Sequence, residues 1–184
     1  MKKIKYLILA ILLIAFDQFT KYLAIIKLKD KPAFELIPGV FEFHYHENNG
    51  AVWGIFGGKT IFLLIFTTII LAGILYIFFK IPEHKKFTAL HVITACIIAG
   101  AIGNLIDRIR FQYVVDFLYF KLINFPIFNV ADCYITVSAA LLLILSFFYY
   151  KDEDFDFLTK KKAALDMADT TEETELLDSD KEER

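Results

Sequence analysis

Two aspartates lie within strongly hydrophobic sequence. The stretch "VVDFLYF" places Asp116 among apolar and aromatic residues, and "FNVADCYITV" places Asp132 at the start of a long apolar run. A lone charge in such a setting is costly unless a partner compensates it. Two carboxylates held within a few ångströms of each other cannot both ionise easily, so they share a proton and can activate a water molecule, as in aspartic proteases. This pattern predicts hydrolysis by an aspartate pair.

A purely structural role is the alternative for the same two residues. Each aspartate would then pair separately with a basic residue and hold elements together without reacting; the available partners are Arg108, Arg110 and Lys121. Ionisable groups at membrane depth tend to be functional, so on the residues alone both the reactive pair and the structural role stay open.

Further polar residues interrupt the apolar segments. Asp17 and Lys21 stand four residues apart in the acid-first order, which predicts an ion pair on one helical face. In "GAIGNLIDRIR", Gly100 and Gly103 favour the close approach of another helix or of a substrate helix. The polar residues that follow, Asn104, Asp107 and Arg108, are expected to form hydrogen bonds at the end of that helix.

A metal site is a weaker possibility. Glu42, His44 and His46 alternate along an expected strand, and three such groups can hold zinc. Polar side chains facing water explain the same alternation more simply, so we predict no metal and no cofactor. Cys133 has no histidine placed to activate it, and neither Cys96 nor Cys133 predicts a structural disulfide.

The elements that position these residues are membrane spans. The chain has 184 residues and is 57% hydrophobic, above the roughly 45–50% of ordinary soluble domains. Because a bilayer core of about 30 Å needs about 20 helical residues, we predict an all-α membrane protein with four transmembrane helices. The predicted spans are Ile4–Ile26, Thr60–Phe79, Phe87–Ile106 and Ala131–Tyr150, within a membrane domain of residues 1–150.

Basic flanks set the expected orientation. Lysines precede the first span, lie between the second and third, and follow the fourth, namely Lys2, Lys3, Lys5, Lys80, Lys85, Lys86 and Lys151. The positive-inside rule then places both termini in the cytoplasm. The polar residues of interest fall at one level, near the outer leaflet, where we expect the active site. A small ion-coupled carrier is a competing class, but it would spread its carboxylates through the membrane depth.

Two segments lie outside the spans. The outer loop alternates at Phe41, Phe43 and Tyr45 and then reaches "NNG" and "AVWGIF", which predicts a small β-hairpin on the outer, periplasmic face. Residues 151–184 contain six Lys/Arg and thirteen Asp/Glu and lack a usable apolar face after Leu158, so they are expected to form a charged, largely disordered cytoplasmic tail.

Four sequence blocks together resemble a known family. "DQFTK" (Asp17–Lys21), "NNGAVWG" (Asn48–Gly54), "GAIGNLIDRIRFQYVVDF" (Gly100–Phe117) and "FNVADCYI" (Phe128–Ile135) resemble the ordered signature blocks of bacterial lipoprotein signal peptidase, signal peptidase II. The resemblance covers about residues 4–150. Gln112 departs from it, since the family usually has glycine at this position.

The resemblance implies an intramembrane aspartic endopeptidase in the bacterial inner membrane. Its catalytic aspartates correspond to Asp116 and Asp132, and its supporting residues to Asp17, Lys21, Asn48, Gly50, Gly100, Asn104, Arg108 and Asn129. Its members cleave the signal peptide of diacylglyceryl-modified prolipoproteins just before the lipid-bearing cysteine, and globomycin blocks them. The expected partners are therefore these precursors, membrane lipid and globomycin-type inhibitors. A monomer is expected, without nucleic acid.

Overall fold

The long apolar segments form four helices in the computed structural model, which describes residues 3–50 and 60–158. They are α1 (Ile4–Leu28), α2 (Thr60–Lys80), α3 (Thr88–Phe111) and α4 (Val130–Phe148). Within the described ranges, the four candidate spans are long and apolar enough to cross a membrane. The predicted fold class is confirmed, and three of the predicted spans end within two residues of their helices.

Helix α3 lies at the centre of the bundle. Of its spanning segment 56% is buried, compared with 22% or less in the other three helices. Its contact face includes small residues such as Ala95, Ala99 and Gly100, so neighbouring helices can approach closely. The outer helices instead expose large aliphatic and aromatic side chains, as a lipid environment favours.

The predicted end of the third span was wrong by five residues. The apolar character weakens at Ile106, but the helix continues to Phe111 because Asp107 packs inward. Gln112 ends the helix in the left-handed conformation, with a φ of 67°, and its N–H donates to the carbonyl of Arg108. Glycine adopts this conformation without steric cost, which accounts for the glycine that the resemblance led us to expect at this position.

A three-stranded antiparallel sheet covers one end of the bundle. Its order is β1 (Phe34–Ile37), β2 (Phe41–Asn48) and β3 (Val114–Tyr119). A hairpin turn joins β1 to β2, where Gly39 has a φ of +72°. The predicted second strip, residues 51–56, lies outside the described residues. β3 is the innermost strand, and Val115 and Phe117 pack against Ala24 of α1.

The opposite end of the bundle gathers the start of α1, the end of α2, the start of α3 and the end of α4. Lys3 Nζ donates to the carbonyl of Phe79 over 2.6 Å, and Phe87 stacks on Tyr150. The described chain therefore begins and ends at the same end of the bundle.

The first residues of the expected disordered tail are ordered. Asp152–Leu158 forms a 3₁₀ helix in which Phe155 and Phe157 pack against the cluster containing Phe87. Lys86 Nζ also lies 2.6 Å from the carboxylate of Asp154. Two phenylalanines supply an apolar face to this segment despite the surrounding acids. The rest of the tail, residues 159–184, lies outside the described residues.

Candidate active site

A large cavity lies where α3, α4 and the sheet meet. Its volume is about 1080 Å³, and its walls include Asp116 and Asp132. Four predicted supporting residues also line it: Asn48, Gly50, Asn104 and Arg108. The two aspartates, distant in the sequence, thus face one space.

Asp116 enters the cavity from β3. It lies opposite His46 of β2 and is only 1% exposed. Its two carboxylate oxygens accept hydrogen bonds from Asn48 Nδ2 over 2.8 Å and from Asn129 Nδ2 over 2.6 Å. Burial, reinforced by the nearby charge of Asp132, raises the pKa of Asp116 to about 7. Near neutral pH this carboxyl is therefore able to hold a proton.

Asp132 enters the cavity from the first turn of α4. It forms a capping box with Asn129: Asn129 Oδ1 accepts from the N–H of Asp132 over 3.0 Å, and Asp132 Oδ2 accepts from the N–H of Asn129 over 3.1 Å. The second carboxylate oxygen accepts from Asn104 Nδ2 over 2.8 Å. Two donors and the helix N-terminus all favour a negative charge here.

Asn129 joins the two aspartates. Its side-chain nitrogen donates to Asp116, and its backbone nitrogen donates to Asp132. No hydrogen bond joins the two carboxylates directly in the part of the chain that the structure describes. They are linked through Asn129, and the charge of Asp132 acts on Asp116 through space.

A buried network of ion pairs and hydrogen bonds between α1 and α3 supports this arrangement. Lys21 Nζ lies 3.0 Å from both Asp17 Oδ2 and Asp107 Oδ2, and it donates to Asn104 Oδ1 over 2.8 Å. All four residues are buried. The predicted Asp17–Lys21 ion pair is confirmed, although it extends to α3. Since Asn104 also bonds Asp132, Lys21 positions the site indirectly.

The same network fixes the backbone around the aspartates. Asp17 Oδ1 accepts from the N–H of Ala131, just before Asp132, over 2.9 Å. Asp107 Oδ2 accepts from the N–H of Val115, just before Asp116, over 3.1 Å. Gln18, which had no predicted role, donates to both Asp17 and Asp107. The sequence did contain a signal for this role of Gln18, namely a polar amide next to Asp17 within an apolar span.

Gly100 does not line the cavity. A Cβ added there would lie 2.5 Å from the carbonyl oxygen of Ala131 and 2.7 Å from Ile135 Cγ1. Of the two roles predicted for Gly100, these contacts support the close approach of another helix, which is α4. Gly103 similarly leaves room for the Asp17 carboxylate.

The structural alternative for the aspartates is not supported. Neither Asp116 nor Asp132 has a basic nitrogen within 4.0 Å among the described residues, and Lys121 instead pairs with Glu35 and Glu42. Arg108 is half-buried at the cavity wall, where its guanidinium contacts the carbonyl of Asn104 at 3.5 Å. It interacts electrostatically with both aspartates without a direct ion pair.

The candidate metal residues make other contacts. Glu42 is buried against Lys121 at 2.9 Å, and this hydrogen bond lowers the pKa of Glu42. His44 lies 3.4 Å from Glu42, whereas His46 is exposed on the cavity side. Among the described residues, no three His, Cys, Asp or Glu side chains are arranged to hold a metal ion.

These features define a class of protein: a multi-pass membrane protein with paired carboxylates in one cavity at one end of its helices. The buried carboxylates of the bundle gather at this end. This arrangement disagrees with the competing class, an ion-coupled carrier, whose ionisable groups would be spread through the membrane depth.

Comparison with known proteins identifies the family. A model of the signal peptidase (SPase) II family matches residues 9–148. Lipoprotein signal peptidases of Staphylococcus aureus strains JH9 and Newman are each 40% identical over 140 residues, which cover 75% of this chain and 85% of theirs. The chain belongs to the signal peptidase II family, the proteases that remove signal peptides from prolipoproteins.

Solved structures share the fold. A bacterial membrane enzyme determined by the in meso method at 2.3 Å is 39% identical, with a TM-score of 0.67 over 76% of this chain and 85% of that chain. A second bacterial membrane enzyme, determined by the same method at 1.9 Å, is 38% identical. Its TM-score is 0.66, and the match covers 76% of this chain and 90% of that chain.

Proposed function

We propose that the chain is an intramembrane aspartic endopeptidase that cleaves diacylglyceryl-modified prolipoproteins just before the lipid-bearing cysteine. The observation that carries this proposal is the meeting of Asp116 and Asp132 in one cavity, each held by asparagine donors rather than by a cation. The family membership supports the substrate class.

The two carboxyl groups have different roles in this mechanism. Asp116, with a pKa of about 7, is the protonated member and donates to the scissile carbonyl oxygen. Asp132, at the helix N-terminus, is the ionised member and removes a proton from the attacking water. Water attack forms a tetrahedral intermediate, which collapses when the leaving amine is protonated. No covalent enzyme intermediate is required.

Arg108 and Asn48 are proposed to position the peptide. Both line the cavity, and Arg108 has no carboxylate within 4.0 Å among the described residues. Its guanidinium is therefore able to donate to peptide carbonyls, while Asn48 holds Asp116 in place.

The cavity wall also favours a lipid-bearing substrate. Phe128 and Ile135 supply apolar surface, and Val137 both lines the cavity and is 58% exposed on the outer side of α4. The cavity is thus continuous with the face expected to contact lipid. We propose that acyl chains and the signal helix enter by this route and that globomycin-type inhibitors occupy the same space.

The orientation of the chain in the membrane is part of the same proposal. The end of the bundle that carries the chain ends is rich in lysine, so the positive-inside rule supports a cytoplasmic location for both termini. The cavity would then lie near the outer leaflet.

Purified enzyme and a diacylglyceryl-modified precursor test the proposal. We expect the mature product to begin at the lipid-bearing cysteine by mass spectrometry, and cleavage to survive a metal chelator. The same precursor without the lipid is the matched control and should be cleaved at least tenfold more slowly. Cleavage elsewhere, equal cleavage of the unmodified precursor or loss of activity with the chelator would contradict the proposal.

A further inference from the structure

A second cavity lies at the opposite end of the bundle from the aspartates. Its volume is about 220 Å³, and its walls include Lys3, Lys5, Lys85 and His91. Along α3, His91 and Asn104 are separated by about 20 Å at 1.5 Å per residue. The second cavity is therefore separate from the active site.

The cavity is strongly basic. Lys3 Nζ contacts the carbonyl of Phe79, and Lys5 Nζ lies over the Tyr6 ring, 4.7 Å from its centroid. Among the described residues, none of the lining lysines Lys3, Lys5 and Lys85 has a carboxylate within 4.0 Å. Glu83 is the acidic residue at the wall. Three ammonium groups and one carboxylate favour an anionic ligand.

His91 supplies a second, independent feature. It is only 2% exposed, and its Nδ1 lies 2.9 Å from the carbonyl oxygen of Phe87. A carbonyl oxygen can only accept, so Nδ1 carries the proton and the neutral ring presents a lone pair at Nε2. Nε2 has no hydrogen-bond partner among the described residues. A buried polar atom of this kind is costly unless a partner binds it.

The ring of His91 is also held rigidly. It stacks on Tyr6 with a centroid separation of 4.7 Å and an interplanar angle of 13°, and it meets the edge of Phe78 at 5.8 Å. The imidazole ring is thus held in a fixed orientation beside a basic cavity, and its buried, unpartnered Nε2 favours a ligand that combines an anion with a hydrogen-bond donor.

We propose that this cavity binds a phosphodiester headgroup that carries a hydroxyl, the chemistry of a glycerophosphate lipid. The lysines bind the phosphate oxygens, and a headgroup hydroxyl donates to His91 Nε2. The volume is below the roughly 300–1,000 Å³ of drug-sized pockets, so it suits a headgroup. Basic pockets between the ends of transmembrane helices are a recurrent setting for lipid headgroups. Free glycerophosphoglycerol, a soluble phosphodiester that carries hydroxyls, offers the same chemistry from a soluble source.

Lipid binding to the intact chain tests the proposal without reference to proteolysis. Native mass spectrometry would compare phosphatidylglycerol with phosphatidylethanol, which has the same charge but no headgroup hydroxyl. We expect phosphatidylglycerol to bind at least fivefold more tightly. Lys5→Gln with Lys85→Gln should weaken its binding about 25-fold, since each lysine near an anionic lipid contributes roughly a fivefold factor. Lys80→Gln with Lys151→Gln is the matched control, because it removes two exposed lysines outside the cavity.

His91→Phe tests the hydroxyl contact, because it keeps a stacking ring and removes Nε2. We expect this variant to bind the two lipids equally. Soluble glycerophosphoglycerol that competes at equal concentration would overturn the lipid assignment and assign the site to a soluble phosphodiester. Equal binding of the two lipids by the unchanged chain, or equal losses in the two double-lysine variants, would overturn the proposal.

Discussion

At the scale of single residues, the proton affinity of Asp116 results from two opposing influences. Removal from water and the neighbouring negative charge raise its pKa to about 7, whereas the donors Asn48 and Asn129 stabilise the charged form. A general acid must be protonated to act, so we expect the cleavage rate to fall as the pH rises through about 7.

The alanine variant of Asn48 tests this balance. Removing the Nδ2 donor takes away an influence that lowers the pKa of Asp116, so the alkaline limb of the pH–rate profile should move upward by about one pH unit. Thr136→Val is the control, since Thr136 lines the same cavity and bonds neither carboxylate. A limb that stays in place or moves downward would remove Asp116 from the acid role.

At the scale of elements, the site depends on how α1, α3 and α4 are joined. Lys21 of α1 compensates Asp17 and Asp107 within the bundle. Each of these aspartates accepts from a backbone N–H next to Asp132 or Asp116. The ionic network and the site therefore share one set of contacts.

Lys21→Met should destabilise the protein strongly. Loss of the cation leaves two buried carboxylates uncompensated, a change that costs roughly 3–5 kcal/mol in comparable buried pairs. The measurement is the thermal transition in detergent. Lys27→Met provides the comparison, because Lys27 is exposed on the same helix. Equal transitions for the two variants would show that the network does not support the fold.

Gly100→Ala should separate α3 from α4. The added methyl would meet the Ala131 carbonyl and Ile135, so we expect about 1–3 kcal/mol of destabilisation and a cleavage rate at least roughly tenfold lower. Gly73→Ala is the control, because a Cβ at Gly73 meets nothing within 4 Å and alanine favours helix. Normal activity in Gly100→Ala would mean that the helix contact does not position Asp132.

At the scale of the whole molecule, the ends of the described chain lie together, away from the active-site cavity. We expect a membrane-impermeant maleimide to label Asp30→Cys on intact cells and to label Glu153→Cys only after the membrane is opened. Both positions are exposed and lie at opposite ends of the bundle. Labelling of Glu153→Cys on intact cells would contradict the proposed orientation.

The sequence predicted the spans well because a helix in lipid requires a long apolar segment, and such segments are visible without tertiary information. The pairing of Asp116 with Asp132 followed from the motif blocks and the shared membrane level. The contact between Asp107 and the N–H of Val115 was not predictable, because it depends on where β3 returns beneath α1. Asn129 and Asp132 have the spacing of a capping box, which was a readable signal for the contacts around Asp132.

The most direct measurement is cleavage of a lipid-modified precursor by Asp116→Asn and by Asp132→Asn, each compared with Asp30→Asn at an exposed carboxylate. We predict that each cavity variant loses at least about a hundredfold in rate, in line with the contribution of a general acid or base, while Asp30→Asn is unchanged. Thermal transitions close to that of the unchanged chain would establish that the variants remain folded. A folded variant of either Asp116 or Asp132 that keeps more than a tenth of the original rate would contradict catalysis by the pair.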